Sequence, residues 1–194
     1  MSDLIIIDIT DIENTILNGS NDLKKITGKG TLLVKNPSQR SRLWNLECDL
    51  KEILNTSSER ELDVGILNPG KTFDHEYEIE NLKNPCLNVK EIFDTAREIS
   101  DKVNNVFLFG NQNLCKIELN LKNTLEVPVL EVKLKRDMPA FFQNLELRNP
   151  SNGNIELSEE DGKRTILWNL ESINPGETAK AVITFTAVIN ERKN

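Results

Sequence analysis

Aromatic residues make up 5% of the sequence, with one tyrosine and two tryptophans, and histidine occurs once. So few rings leave little for a sugar-binding or base-stacking face, which needs several exposed aromatics together. Cysteine is sparse as well: Cys48, Cys86 and Cys115 are odd in number and show no close-paired spacing. That argues against a disulfide framework and fits a reducing cytosol. Basic residues are outnumbered, 24 against 31 acids, for a formal charge of −7. The chain thus lacks the basic face on which affinity for phosphate backbones rests, and nucleic acid is not an expected partner. No stretch reaches the roughly eighteen uncharged apolar residues of a membrane span. The run Leu4-Ile5-Ile6-Ile7-Asp8-Ile9 follows no basic segment and precedes no small-residue cleavage site. The expectation is a cytoplasmic chain without membrane insertion.

What is present is alternation. From Thr178 onward, Ala179, Ala181, Ile183, Phe185, Ala187 and Ile189 fall on one face, with Lys180, Thr184 and Thr186 on the other. Period two over that length predicts a half-buried strand. Further strands are predicted at 4–9, 30–35, 43–50, 73–79, 115–122, 127–135 and 165–170, with Asn-Pro and Asn-Gly punctuation between them. One segment departs from this. Between Asn88 and Asn104, Ile92, Phe93, Ala96, Ile99 and Val103 recur at helical spacing, and Asn88 with Glu91 resembles a capping box. The reading there is one amphipathic helix, packed on its own domains or on a partner.

The halves on either side share two signatures. Val34-Lys35-Asn36 is followed by Leu67-Asn68-Pro69-Gly70-Lys71-Thr72, and Leu121-Lys122-Asn123 by Ile173-Asn174-Pro175-Gly176-Glu177-Thr178. The pentapeptide Leu-Trp-Asn-Leu-Glu also occurs twice, at 43–47 and 167–171, but in a register that cannot be aligned with both signatures. The predicted fold class is all-β: two tandem immunoglobulin-like β-sandwich domains, 1–83 and 114–194, joined by a helical connector at 84–113.

In the second half, Lys122-Asn123, Met138-Pro139, Trp168-Asn169-Leu170 and Ile173-Asn174-Pro175-Gly176-Glu177-Thr178 come in that order before a long Thr/Val strand. The order resembles the immunoglobulin-like conserved repeat of archaeal and bacterial surface proteins over Leu114 to Ile189. The first half keeps only the two ends of that pattern. The resemblance implies a sandwich used as spacer or binding module, with no catalytic residues to carry over.

Chemistry-bearing patterns are few. Gly65-Ile66-Leu67-Asn68-Pro69-Gly70-Lys71-Thr72 satisfies the phosphate-loop pattern, in which backbone amides cradle phosphate, Lys71 reaches its oxygens and Thr72 holds Mg²⁺. Residues Gly65, Gly70, Lys71 and Thr72 are therefore the cofactor-binding set of an alternative, nucleotide-binding reading. Against it, 73–79 alternates as a strand where a phosphate loop opens a helix, and the same turn recurs with Glu177 in place of the lysine. The preferred reading of this segment is a hairpin turn. His75 would serve as a base or ligand, or simply sit half-buried in its strand. A zinc site from Cys48, His75, Cys86 and Cys115 lacks the short ligand pairs that mark such sites, so the thiols read as small core residues and no metal is expected. Glu159-Glu160-Asp161-Gly162 reads as a solvated hairpin tip, and Lys133, Lys135 and Arg136 as protection of an edge strand. Trp44 and Trp168 are both predicted to anchor core between sheets. No catalytic residue and no cofactor is expected. The chain reads as a protein-interaction or scaffold module that takes a partner on a sheet edge or in an interdomain groove. Alternatively, the first strand would exchange between protomers to make a homodimer.

Overall fold

Alternating side chains, with turn residues at their ends, make the described chain β throughout in the computed structural model, which describes residues 5–51, 53–95 and 108–188. The chain divides into two compact units, Met1–Pro85 and Cys86–Asn194.

The first unit contains β1 (Ile6–Leu17), β2 (Leu23–Lys35), β3 (Leu43–Asp49), β4 (Glu61–Leu67) and β5 (Thr72–Ile79). They form an antiparallel sheet in the order β1-β2-β5 and a two-stranded sheet β3-β4. Leu32 and Val34 of β2 meet Leu62, Val64 and Leu67 of β4 in a small core, lined further by Leu43, Leu46, Cys48, Leu50 and Phe73.

The second unit contains β6 (Leu87–Thr95), β7 (Gln112–Asn123), β8 (Val129–Met138), β9 (Gln143–Leu147), β10 (Asn154–Glu160), β11 (Lys163–Ile173) and β12 (Thr178–Val188). Its sheets run β6-β7-β12-β9 and β10-β11-β8. Between them lies a fuller core. Ile117, Leu119 and Leu121 of β7 and Ala181, Ile183 and Phe185 of β12 face Ile166, Trp168 and Leu170 of β11. Trp168 is 0% exposed, and its indole N–H donates to the Asn152 carbonyl at 2.9 Å. The acidic tip is the two-residue turn of the β10–β11 hairpin, where Asp161 and Gly162 both have positive φ, as such turns require.

Three expectations change. Residues 88–95 are not helical: they are strand β6, paired along β7, and 96–104 lie outside the described residues. The alternation was disguised by a charge on the inward side. Glu91 sits there because Arg136 of β8 reaches it bidentately, at 2.8 and 2.9 Å. Arg136 is thus an ion-pair partner rather than part of an exposed stripe, while Lys133 and Lys135 stay exposed on edge strand β8. Within the predicted connector 84–113, Leu87–Thr95 accordingly supply a strand to the second unit's sheet. Trp44 is 59% exposed, with the Arg42 guanidinium 5.2 Å above its ring, so it anchors no core. The repeated pentapeptide occupies β3 in one unit and β11 in the other, and these strands are not equivalent.

Candidate functional site

The two shared signatures fold into the same hydrogen-bonded clamp. Asn36 directly follows β2 and Asn123 ends β7, and both are fully buried. The Asn36 side-chain amide donates to the carbonyls of Leu67 and Ser41, each at 2.9 Å, and its oxygen accepts from Ser38 N–H. Asn123 donates to Ile173 and Val127 carbonyls, each at 2.8 Å, and accepts from Leu125 N–H. Backbone bonds repeat as well. Gly70 N–H donates to the Asn36 carbonyl and Gly176 N–H to that of Asn123, while Asn36 and Asn123 N–H groups donate to Lys71 and Glu177. Register agrees, with Lys35 opposite Thr72 and Lys122 opposite Thr178.

This geometry accounts for the phosphate-loop lookalike. Gly70 has φ +70° and Gly176 +72°, so both turn in the left-handed region open to glycine. The Gly70 and Lys71 amides are spent on the Asn36 and Asn68 carbonyls, and Thr72 opens strand β5, with no helix following. Gly65 lies inside β4, opposite Leu46. The turn is also not a hairpin: it carries the chain from sheet β3-β4 to sheet β1-β2-β5. Lys71 is exposed and enters the clamp only through its backbone. Lys71→Ala is therefore expected to shift stability by no more than about 0.5 kcal/mol in a urea titration.

A different set of residues comes together on the core face of sheet β1-β2-β5. A groove of about 340 Å³ is lined by Ile9 and Asp11 of β1, Leu32 of β2, Tyr77 and Ile79 of β5, and Leu50, Lys51, Ile53, Asn55, Thr56 and Ser58. Tyr77 lies across Gly30, where a Cβ would overlap its ring, and its hydroxyl donates to Asp11 Oδ1 at 2.8 Å. On the β5 side the groove is walled. Ser57 N–H donates to the Glu78 carbonyl at 2.9 Å, Glu78 N–H to Ser57 Oγ at 2.8 Å, and Ser58 Oγ lies 2.9 Å from His75 Nε2. His75 is half-buried and meets no carboxylate among the described contacts. Cys48 and His75 belong to the first unit, Cys86 and Cys115 to the second, and no cluster able to hold a metal occurs among the described residues.

Desolvation, and then the hydrogen bond and charge of Asp11, push the Tyr77 phenol up to about 12. Because the folded value lies above the ordinary one of 10, the stabilisation is fully present below pH 10 and is lost as pH rises through 12. Tyr77 is the sole tyrosine, so ultraviolet titration reads it alone. Asp11→Asn is expected to lower the midpoint while leaving it above 10, since desolvation is the larger cause.

The fold has known counterparts. No family model and no curated protein matches the sequence. Among solved structures the chain is similar to the yeast delta-COP-I mu-homology domain, with a TM-score of 0.52 and 10% identity, covering 98% of this chain and 76% of that one. At that identity the likeness is one of fold. Among the described residues no helix is long and apolar enough to cross a membrane.

The edge of the groove is β1 itself. It pairs with β2 on one side and, among the described residues, with no strand on the other. Ile6, Ile7, Ile9, Ile12 and Ile16 along it are each 46–63% exposed.

Proposed function

We propose that this chain is a non-catalytic, cytoplasmic protein-interaction or scaffold module of two tandem β-sandwich-like domains, and that it takes its partner by strand addition along β1. The carrying observation is the edge itself: twelve residues of strand with one side unpaired among the described residues and isoleucines exposed on both faces. Edge strands are usually blunted by lysine, proline or a cover. β1 has no lysine, arginine or proline in Ile6–Leu17, so it offers backbone groups and apolar side chains together. Strand addition takes affinity from the first and specificity from the second. The clamp common to both units supports duplication of one β unit; the kinship of the second unit to the immunoglobulin-like repeat rests on its sequence motifs alone. The mu-homology fold is compatible with a binding rather than a catalytic role.

The test is affinity capture from the host's soluble lysate with wild type and an Ile7→Lys/Ile12→Lys variant, followed by hydrogen exchange on the purified complex. A partner that protects β1 amides and is lost in the variant is the expected result. A partner held equally by both, or Mg-ATP binding abolished by Lys71→Ala, overturns the reading.

A further inference from the structure

Counting from the clamps aligns the two units row by row. In the first, Asp11, Gly30 and Tyr77 are cross-strand neighbours on the core face. The matching row of the second is Phe93, Ile117 and Ile183. One row further, Glu13, Gly28 and Ile79 match Thr95, Cys115 and Phe185. In the second unit the β7 and β12 members of these rows are core: Ile117, Cys115, Ile183 and Phe185 are all 0% exposed, and Phe142 stacks on Phe185 with ring centroids 4.0 Å apart, while Phe93 on β6 is 39% exposed. The first unit has two glycines, two carboxylates, a phenol and Ile79 there, and Asp11, Tyr77 and Ile79 of these line the groove.

We propose that this hollowed end of the first unit is a side-chain pocket, and that it receives an arginine carried by the strand that adds to β1. The proposal rests on the strand-addition reading and extends it to the partner's sequence. Three observations fix the occupant. The groove is walled along β5 by the pinned 55–58 segment, so it is entered from the β1 edge. Ile9, two positions from Asp11 on the same face of β1, offers an aliphatic surface to a methylene stem at that entrance to the groove. At its β1 end stand the Asp11 carboxylate and the face of the Tyr77 ring, which together suit a planar guanidinium by paired hydrogen bonding and stacking. Lys51 lines the loop side, so the cation is held at Asp11 and does not run deeper.

Charge along β1 selects against a second copy of this chain. Asp8, Asp11 and Glu13 are acidic and no residue of the strand is basic, so pairing β1 with itself gathers like charges. In an antiparallel partner the residues opposite Glu13, Asp11, Ile9 and Ile7 share the groove face. Read from its amino end, that partner carries a basic residue, then arginine, then two apolar residues, at every second position.

The probe is a fluorescent peptide in which threonine alternates with lysine, arginine, valine and isoleucine in that order, titrated into the full chain by anisotropy. A twin peptide replaces the arginine by neutral, isosteric citrulline. The arginine peptide is expected to bind about tenfold tighter than the citrulline twin. Asp11→Asn is expected to erase that ratio without changing the circular dichroism, and Tyr77→Phe to reduce it. Equal binding of both peptides overturns the pocket and leaves the edge standing. Binding of neither to folded protein overturns both. Free N-acetylargininamide binding as tightly as the peptide overturns delivery by a strand.

Discussion

Trp168→Ala is expected to cost the second unit about 3–5 kcal/mol in a denaturant titration. The side chain is fully buried among Ile166, Leu170 and the β7 and β12 faces, where a void cannot be filled by a surface movement. The variant also strands the Asn152 carbonyl that the indole N–H now satisfies. The matching control is Trp44→Ala, the second residue of an identical pentapeptide. Trp44 is mostly exposed, so its loss is expected to change stability by no more than about 0.5 kcal/mol. Near-equal effects of the two substitutions would contradict the placement of β3 and β11 in different environments.

Asn123→Ala is the other large effect, with an expected loss of about 2–4 kcal/mol by the same measurement. The substitution leaves the Ile173 and Val127 carbonyls and the Leu125 N–H without the partners they have now. Unmade bonds of buried groups cost about 1–3 kcal/mol each, partly recovered where water enters. Asn123→Asp keeps the acceptor but sets a carboxylate against two carbonyls, so it is expected to be no milder. Asn36→Ala should act on the first unit in the same way. A variant with unchanged midpoint would show that the clamp only decorates the turn.

The β class was legible because the strongest strand obeys period two to the end: Ala179, Ala181, Ile183, Phe185 and Ala187 are all buried. Weak or interrupted alternation hid the rest. β9 and β10 are short, and each places only two apolar residues among polar ones. β4 was obscured by Gly65, which matched a phosphate loop although it lies inside a strand. β1 runs to Leu17 rather than Ile9, and β2 starts at Leu23 rather than Gly30, because the added pairing of 10–17 with 23–31 is made mostly by polar residues, and of its apolar ones Ile12, Ile16 and Leu23 are exposed. In β6 the ion pair between Glu91 and Arg136 reversed the polarity of one inward position, and helical spacing then fitted better than period two. The repeated Lys-Asn and Asn-Pro-Gly signatures were visible, but not their role. An asparagine at a strand end reads as exposed turn chemistry, and only its partners 31 and 50 positions away bury it. The groove had a fainter signal. Glycines two apart in a strand, Gly28 and Gly30, imply that something lies close against one face: the sole tyrosine covers Gly30, and Ile79 and Leu82 cover Gly28.

The unequal spans of the two clamps say how such a unit can grow. Each clamp ties the end of one strand to the carbonyl before Asn-Pro-Gly, across 31 residues in one unit and 50 in the other. Closing the longer loop costs only about half a kcal/mol more in chain entropy. The additional length holds β9 and β10, which have no counterpart among the described residues of the first unit. Between clamp and turn, then, is a stretch where whole strands can be inserted or removed while both ends stay locked, and a short version leaves part of the opposing sheet uncovered.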